Sequence, residues 1–225
     1  MLRAVIFDCD GVLVDSEPAH YEGFRRTLAE SGIRLSRRDY FDRYLAYSDA
    51  AAFQHILTDQ KRFTPALHRR LCRRKAVILR AILPRLRLLP GVRRFVRESA
   101  GRGRAAIASG ALRGEVEAIV RHHGLAPFIH AVVGAEDVRR GKPHPDPFRR
   151  ALALLNAGER GRKIRPAECL VVEDSFLGIA AAKAAGMKCL AVATSYPAAK
   201  LREADVVARS LARVRLADVE KKLFR

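Results

Sequence analysis

The chain has 225 residues, which suits one domain or one domain carrying an insertion. Apolar residues make up 49% of it, enough for a sizeable core, yet no apolar run approaches the ~18 residues of a membrane span. The formal charge is +19, and the stretch from Lys61 to Arg104 supplies +14 of it, with fifteen Lys or Arg against Glu98 alone.

That charge bears on partners. A basic patch attracts nucleic acid, anionic substrates or membrane surfaces. The chain has 34 Arg against 9 Lys, however, a skew that codon usage in a GC-rich genome produces with the arginines simply solvated. No aromatic stacking platform accompanies the charge. Nucleic acid is therefore the less favoured partner, and a membrane is not expected. The N-terminus enters AVIF without a basic leader and cleavage site, so a cytoplasmic protein is expected. Cys9, Cys72, Cys169 and Cys189 show no C-x-x-C spacing and read as reduced thiols rather than a zinc site.

In chain order, the first strand covers Ala4–Phe7 and stops at Asp8, with Asp10 one residue further on. A buried strand that ends on two carboxylates faces repulsion and desolvation together. A divalent cation with a phosphate removes both problems. A solvated turn around Gly11 is the alternative reading of the tetrapeptide. From Ser16 to Leu89 no strand is convincing. Phe53, Ile56 and Leu57, then Leu67, Leu71, Ile78 and Ile82, repeat with helical spacing, so residues 16–89 read as a helical insertion. Pro90-Gly91 marks the return to an α/β pattern over residues 90–225.

Further strands are predicted at Ala105–Ala108, Ala131–Val133, Leu170–Val172 and Cys189–Val192. Each is short and nearly continuous in apolar character, as in a parallel sheet covered on both faces. The strand at Ala105–Ala108 runs into Ser109-Gly110, a hydroxyl and a flexible link before a helix whose face is Leu112, Val116, Ile119 and Val120. Such a start favours anions, though a plain N-cap serine has the same appearance. Lys142 lies in the proline-restricted GKPHPDPF, with helix beginning only at Asp146. Held there, its ammonium can neutralise a phosphate and a carboxylate. The strand at Leu170–Val172 ends on Glu173-Asp174-Ser175, again placing acids where open α/β folds gather ligands. Hard oxygen ligands suit Mg²⁺, while capping of the next helix is Asp174's alternative role. That helix shows Leu177, Ile179, Ala180 and Ala184 on one face, and residues 158–165 read as a surface loop.

Together the motifs DGVLVDSEP after Asp8, Ser109-Gly110, GKPHPDPF and EDSFLG closely resemble those of the haloacid dehalogenase-like hydrolase superfamily. The similarity is to the branch of phosphoglycolate phosphatases, β-phosphoglucomutases and sugar-phosphate phosphatases. The resemblance implies a Rossmann-like α/β core from residues 1–15 and 90–225, and a helical cap at 16–89 that closes over the site. It implies a Mg²⁺-dependent phosphatase acting on a small phosphorylated metabolite, and a monomer. Asp8 would attack phosphorus. Asp10 would protonate the leaving oxygen and later activate water. Ser109, Gly110 and Lys142 would hold the phosphoryl group. Asp8, Asp10 through its backbone carbonyl, Glu173 and Asp174 would hold Mg²⁺. His20 and Lys75 fall where relatives carry cap residues near substrate. One departure matters: the cap arginine with which mutases grip a second phosphate is replaced by Asp49, and the nearby glycine by Ala46. Hydrolysis is favoured over the mutase alternative on that ground. A basic nucleic-acid-binding protein on the same scaffold is the reading of another class.

Overall fold

The computed structural model describes residues 1–45, 47–82, 86–157 and 161–224. Ala46 and the first part of the 158–165 loop lie outside the described residues. The elements run β1 (Ala4–Phe7), α1 (Glu17–Ala29), α2 (Arg37–Asp39), a π-helical turn at Tyr40–Tyr44, α3 (Asp49–Asp59) and α4 (Pro65–Ile82). There follow α5 (Val92–Arg102), β2 (Arg104–Ala108), α6 (Arg113–His122), β3 (Ala131–Val133), α7 (Asp146–Ala157), β4 (Cys169–Glu173), α8 (Phe176–Ala184), β5 (Lys188–Val192), β6 (Val206–Ala208) and α9 (Leu216–Leu223). The chain divides into two compact units, residues 1–15 with 87–225, and residues 16–86.

The first unit is built on a six-stranded parallel sheet of order β3-β2-β1-β4-β5-β6. β1 lies at its centre, and all four residues are buried, which is why AVIF carries no polar alternation. β2 and β4 flank it, with Phe7 in register with Ile107 on one side and Val172 on the other. The connections reverse direction between β1 and β4, the kind of switch point where open α/β sheets bind ligands. The core beneath is apolar and mostly aliphatic, with Ile6, Leu155, Val171 and Ile179 buried beside the ring of Phe148. The boundary falls at Arg87 rather than Pro90, because Leu89 N–H donates to the Leu13 carbonyl and Leu88 bridges Val14. Those bonds tie the returning chain to the segment leaving β1.

Two sequence expectations need correction in this unit. β6 has no counterpart among the predicted strands: it is a three-residue edge strand with an exposed central Val207, so no apolar run marks it. α8 buries Gly178, Ile179, Ala181 and Ala182, while Ala180 and Ala184 face outward. Its five small residues in FLGIAAAKA, four alanines and a glycine, give the periodicity little contrast.

The second unit is helical. α1 packs on α4, and α3 on α4, around Phe24, Leu28, Phe53, Ile56, Leu57 and Leu71. Phe24 and Phe53 have ring centroids 4.6 Å apart, within the favourable range for aromatic pairs. On α4 the buried stripe is Leu71, Lys75 and Leu79, spaced four apart, whereas Ile78 and Ile82 are only half-buried. A lysine thus occupies the central core position. Among the described residues no helix is long and apolar enough to cross a membrane.

Candidate active site

The sheet delivers four segments to the carboxyl ends of β1, β2 and β4 and to the loop before α7. β1 ends at Phe7, and Asp8 N–H continues the ladder by donating to the Val172 carbonyl at 2.9 Å. The Asp8 side chain is therefore fixed at the sheet edge, 8% exposed. Lys142 Nζ lies 2.9 Å from Asp8 Oδ1, and it also donates to Glu173 Oε1. Phe148 of α7 presents its ring 5.3 Å from the same ammonium. One cation is thereby shared between the ends of two adjacent strands.

Glu173 is completely buried and its second oxygen is equally committed. Oε2 accepts from Asp174 N–H at 2.9 Å, Ser175 N–H at 3.0 Å and Ser175 Oγ at 2.9 Å. Gly178 explains how α8 comes so close, for a Cβ there would overlap the Glu173 carboxylate. The spacing of EDSFLG thus has a packing cause. Asp174 is 4% exposed and accepts from Ser195 Oγ, beyond the end of β5. It is not the helix cap: Ser175 takes that part, its Oγ accepting from Gly178 N–H at 3.0 Å. Gly11 adopts φ +73°, and a Cβ there would overlap Asp174 Oδ2.

Ser109 follows β2 and is 3% exposed. It does not cap a helix either, since α6 starts at Arg113 with Leu112 as N-cap. Its hydroxyl accepts from Ala111 N–H at 3.0 Å and points to Asp10 Oδ2 at 3.4 Å. Gly110 is exposed, and a Cβ there would meet nothing within 4 Å, so crowding does not require its small size. Asp10, Ser109, Lys142, Asp8, Glu173 and Asp174 thus form one linked set. His20 and Lys75 meet elsewhere, inside the helical unit. Lys75 is fully buried, with Nζ 2.9 Å from His20 Nδ1 and 4.1 Å from the Phe24 ring centroid, and it donates to Asp49 Oδ1. Asp49 opens α3 behind the Ser48 cap. Burial works against its charge, but Lys75 and His20 hold its carboxyl far below the usual range.

Electrostatics of the sheet-edge set are unbalanced. Burial pushes the Asp8 carboxyl up to about 8 against the pull of Lys142, with Glu173 and Asp10 adding repulsion. Lys142, despite burial, is held more firmly protonated than an ordinary lysine by Asp8 and Glu173. One oxygen each from Asp8, Glu173 and Asp174 lies within 4.8 Å of the others. Asp8 Oδ1 has no aligned hydrogen bond among the described residues. These buried, hard donors with a surplus of negative charge fit a divalent cation such as Mg²⁺. Glu173, with both oxygens engaged, fits an outer position better than direct ligation. Ser195 was not foreseen from the sequence; the one available signal is a hydroxyl residue just past a strand end on the same sheet edge. The four cysteines are free thiols; Cys9, Cys169 and Cys189 are buried, and Cys72 is half-buried.

Comparison with known proteins agrees with this geometry. Residues 2–186 match the family model described as haloacid dehalogenase-like hydrolase. The fructose-1-phosphate phosphatase YqaB of Escherichia coli is 33% identical over 184 residues, covering 81% of this chain and 92% of that protein. The β-phosphoglucomutase of Bacillus subtilis is 29% identical, covering 92% and 89%. The crystal structure of CbbY from Rhodobacter sphaeroides in complex with phosphate superposes with a TM-score of 0.86 at 26% identity, covering 99% of each chain. A match over most of the chain, on a fold whose sheet edge gathers the motif residues, leads to one conclusion: the chain is an enzyme of the haloacid dehalogenase-like hydrolase family.

Proposed function

We propose that the protein is a Mg²⁺-dependent phosphatase that hydrolyses a small phosphorylated metabolite, of the sugar-phosphate or phosphoglycolate type, through an aspartyl-phosphate. The observation that carries the reading is the buried Asp8–Lys142–Glu173 arrangement beside Asp174, in which carboxylates outnumber the one ammonium. Asp8 is the nucleophile: Lys142 orients its reacting oxygen and offsets part of the burial penalty, its ionisation is completed with a metal bound, and Lys142 then meets the incoming phosphoryl charge. Asp10 is the general acid and base, protonating the leaving oxygen and later taking a proton from water. Ser109 and the Gly110 backbone hold phosphoryl oxygens. Asp8, Asp174 and the Asp10 carbonyl hold the metal, with Glu173 one layer out and Ser195 orienting Asp174. When bound, the metal supplies charge neutralisation for the transferring phosphoryl group.

The helical unit, residues 16–86, is proposed as the substrate-selecting cap, with His20 and Lys75 as its recognition pair. What supports this is the cost of placing a polar cluster inside an otherwise apolar unit. Hydrolysis is favoured over mutase chemistry because Asp49 brings an acid, already neutralised by Lys75, where a second phosphate would need a cation. The relatives named above include both a phosphatase and a mutase, so the products decide. The test is phosphate release across a panel of phosphorylated metabolites, with and without Mg²⁺. Asp8→Asn is expected to abolish it, and chelation to suppress it reversibly. Turnover within tenfold of the unmodified protein in Asp8→Asn, or full activity after exhaustive chelation, would overturn the assignment. With β-glucose 1-phosphate, NMR is expected to show mainly free phosphate and glucose; predominant glucose 6-phosphate would establish the mutase reading instead.

A further inference from the structure

A groove of about 750 Å³ opens on the sheet-bearing unit where the chain re-enters it before α5. Arg87, Arg93 and Arg97 line it, with Leu88 and Leu89 supplying apolar wall and His123 closing one side. None of the proposed catalytic residues borders it.

The arginines there are arranged against ordinary helix electrostatics. α5 has no acid in its first turn and begins Val92-Arg93-Arg94, where cations oppose the helix dipole. Arg93 and Arg97 stand four apart, so their charges share one face and repel. Glu98, also at the groove, does not relieve them, because it pairs with Arg94 at 2.8 Å. Arg94 is further engaged by the carbonyls of Leu211 and Val214. Among the described residues Arg87, Arg93 and Arg97 are ion-paired with no acid. Two of the three are nonetheless held in place. Arg93 Nη1 donates to the His123 carbonyl at 2.7 Å, and Arg97 lies over the Phe128 ring at 5.4 Å. Their remaining donors stay available for a ligand. Elsewhere some arginines are neutralised, as in Arg74–Glu30 and Arg102–Glu220, and others are not; what sets these three apart is that they line one groove.

We propose that this groove is a second anion site, distinct from the catalytic one, for a small ligand bearing two or more adjacent phosphoryl groups. A guanidinium binds phosphate oxygens in bidentate fashion, and one phosphate, carrying at most about two negative charges near neutral pH, leaves part of the charge of three guanidinia unneutralised. The cavity is of the size that small-molecule sites have. Its leucine wall suits the carbon skeleton of such a ligand. A long nucleic acid is disfavoured, because among the described residues no Phe, Tyr or Trp lines the groove as a platform for successive bases, His123 being its one ring.

The test uses the full chain carrying Asp8→Asn, with chelator present, so that the catalytic site contributes neither turnover nor metal-bound phosphate. Inorganic pyrophosphate is titrated by calorimetry at ~150 mM salt, and the arginine side-chain NMR signals are followed in parallel. Saturable binding is expected, stronger than for orthophosphate, with the Arg93 and Arg97 signals shifting. Adding Arg93→Gln with Arg97→Gln is expected to weaken it on the order of tenfold or more, the scale of one lost charge-assisted contact. Arg93→Lys with Arg97→Lys keeps the charge but not the fork, and is expected to fall between. Absence of binding, binding unchanged in both pairs of variants, or shifts that bypass Arg93 and Arg97 would overturn the proposal. So would a single-stranded DNA oligomer that outcompetes pyrophosphate at the same salt, since the groove would then belong to a nucleic-acid surface.

Discussion

Asp8 is bound to its neighbours by a conflict that the catalytic reading turns to use. Burial and the nearby Glu173 and Asp10 charges raise its carboxyl to about 8. In the metal-free protein the folded state therefore holds a proton that the unfolded chain releases near pH 4. Stability then falls as pH rises from about 4 towards 8, by at most ~1.4 kcal/mol per pH unit. Asp8→Asn removes this penalty. Thermal melts in chelator are expected to show the variant gaining on the unmodified protein between pH 5 and 8, with Mg²⁺ narrowing the difference. A constant difference across that range would contradict the buried-charge account. Gly178 presents a second residue-scale test. Gly178→Ala places a methyl group into the Glu173 carboxylate. Overpacking of this kind typically costs about 1–3 kcal/mol. Displacing Glu173 also releases Lys142, so kcat is expected to fall more than KM rises; a variant with unchanged melting and kinetics would show that α8 yields freely.

At the scale of elements, α4 carries its lysine in the core and α3 carries the counter-charge. Asp49 sits in the first turn of α3, where the dipole favours an acid, and reaches Lys75 on α4. Asp49→Ala leaves the fully buried Lys75 without its carboxylate. Unpaired buried charges typically cost 3–5 kcal/mol; about 3 kcal/mol is expected here, the low end, because the Asp49 side chain stays 35% exposed and water can enter. Urea unfolding followed by tyrosine signals of the helical unit measures it. Asp49→Arg is expected to be worse than Asp49→Ala, since it adds a second cation beside the first. Restoring a mutase-like arginine is thus not a simple exchange of specificity: the sequence shows an acid in place of a cation, whereas the packing shows that acid already in use. Equal stability of the Arg and Ala variants would remove Lys75 from the argument.

For the molecule as a whole, the basic stretch divides into cations that are paired and cations that are not. On α4, Arg74 pairs with Glu30 and Arg70 donates to Ser31, while Arg69, Arg73 and Arg80 are exposed without acid partners among the described residues. Free surface charge of this kind attracts anions over roughly the Debye length, ~8 Å at physiological salt. Replacing these three arginines by Gln is expected to lower kcat/KM at low salt, with kcat nearly unchanged and the loss shrinking as salt rises. A fall in kcat, or no salt dependence, would mean that they touch the reacting substrate or shape the helical unit.

The sequence by itself determined the parallel α/β core, the helical insertion and the sheet-edge acids. Short strands buried on both faces must be continuously apolar, and acids that end such strands are conspicuous against them. The strand at Ala4–Phe7 was legible residue for residue for that reason, and Ala131–Val133, an edge strand with only Val133 buried, because its residues are nonetheless all apolar. β6 was not, because an exposed edge strand needs no apolar run. Nor was Ser195, since a lone serine becomes informative only once β5 brings it against Asp174. The parts played by Ser175 and Glu173 were decided by tertiary structure too: two adjacent acids and a serine read alike in one dimension, and only the approach of α8 sorts the cap Ser175, the anchored Glu173 and the Asp174 carboxylate that meets Ser195. Lys75 is the clearest case. Among fifteen cations in one basic stretch it looks solvated, and nothing local marks it as buried. Its environment is made by Asp49, His20 and Phe24, contributed by two other helices, and long-range pairing of that kind leaves no periodic trace in the chain that carries it.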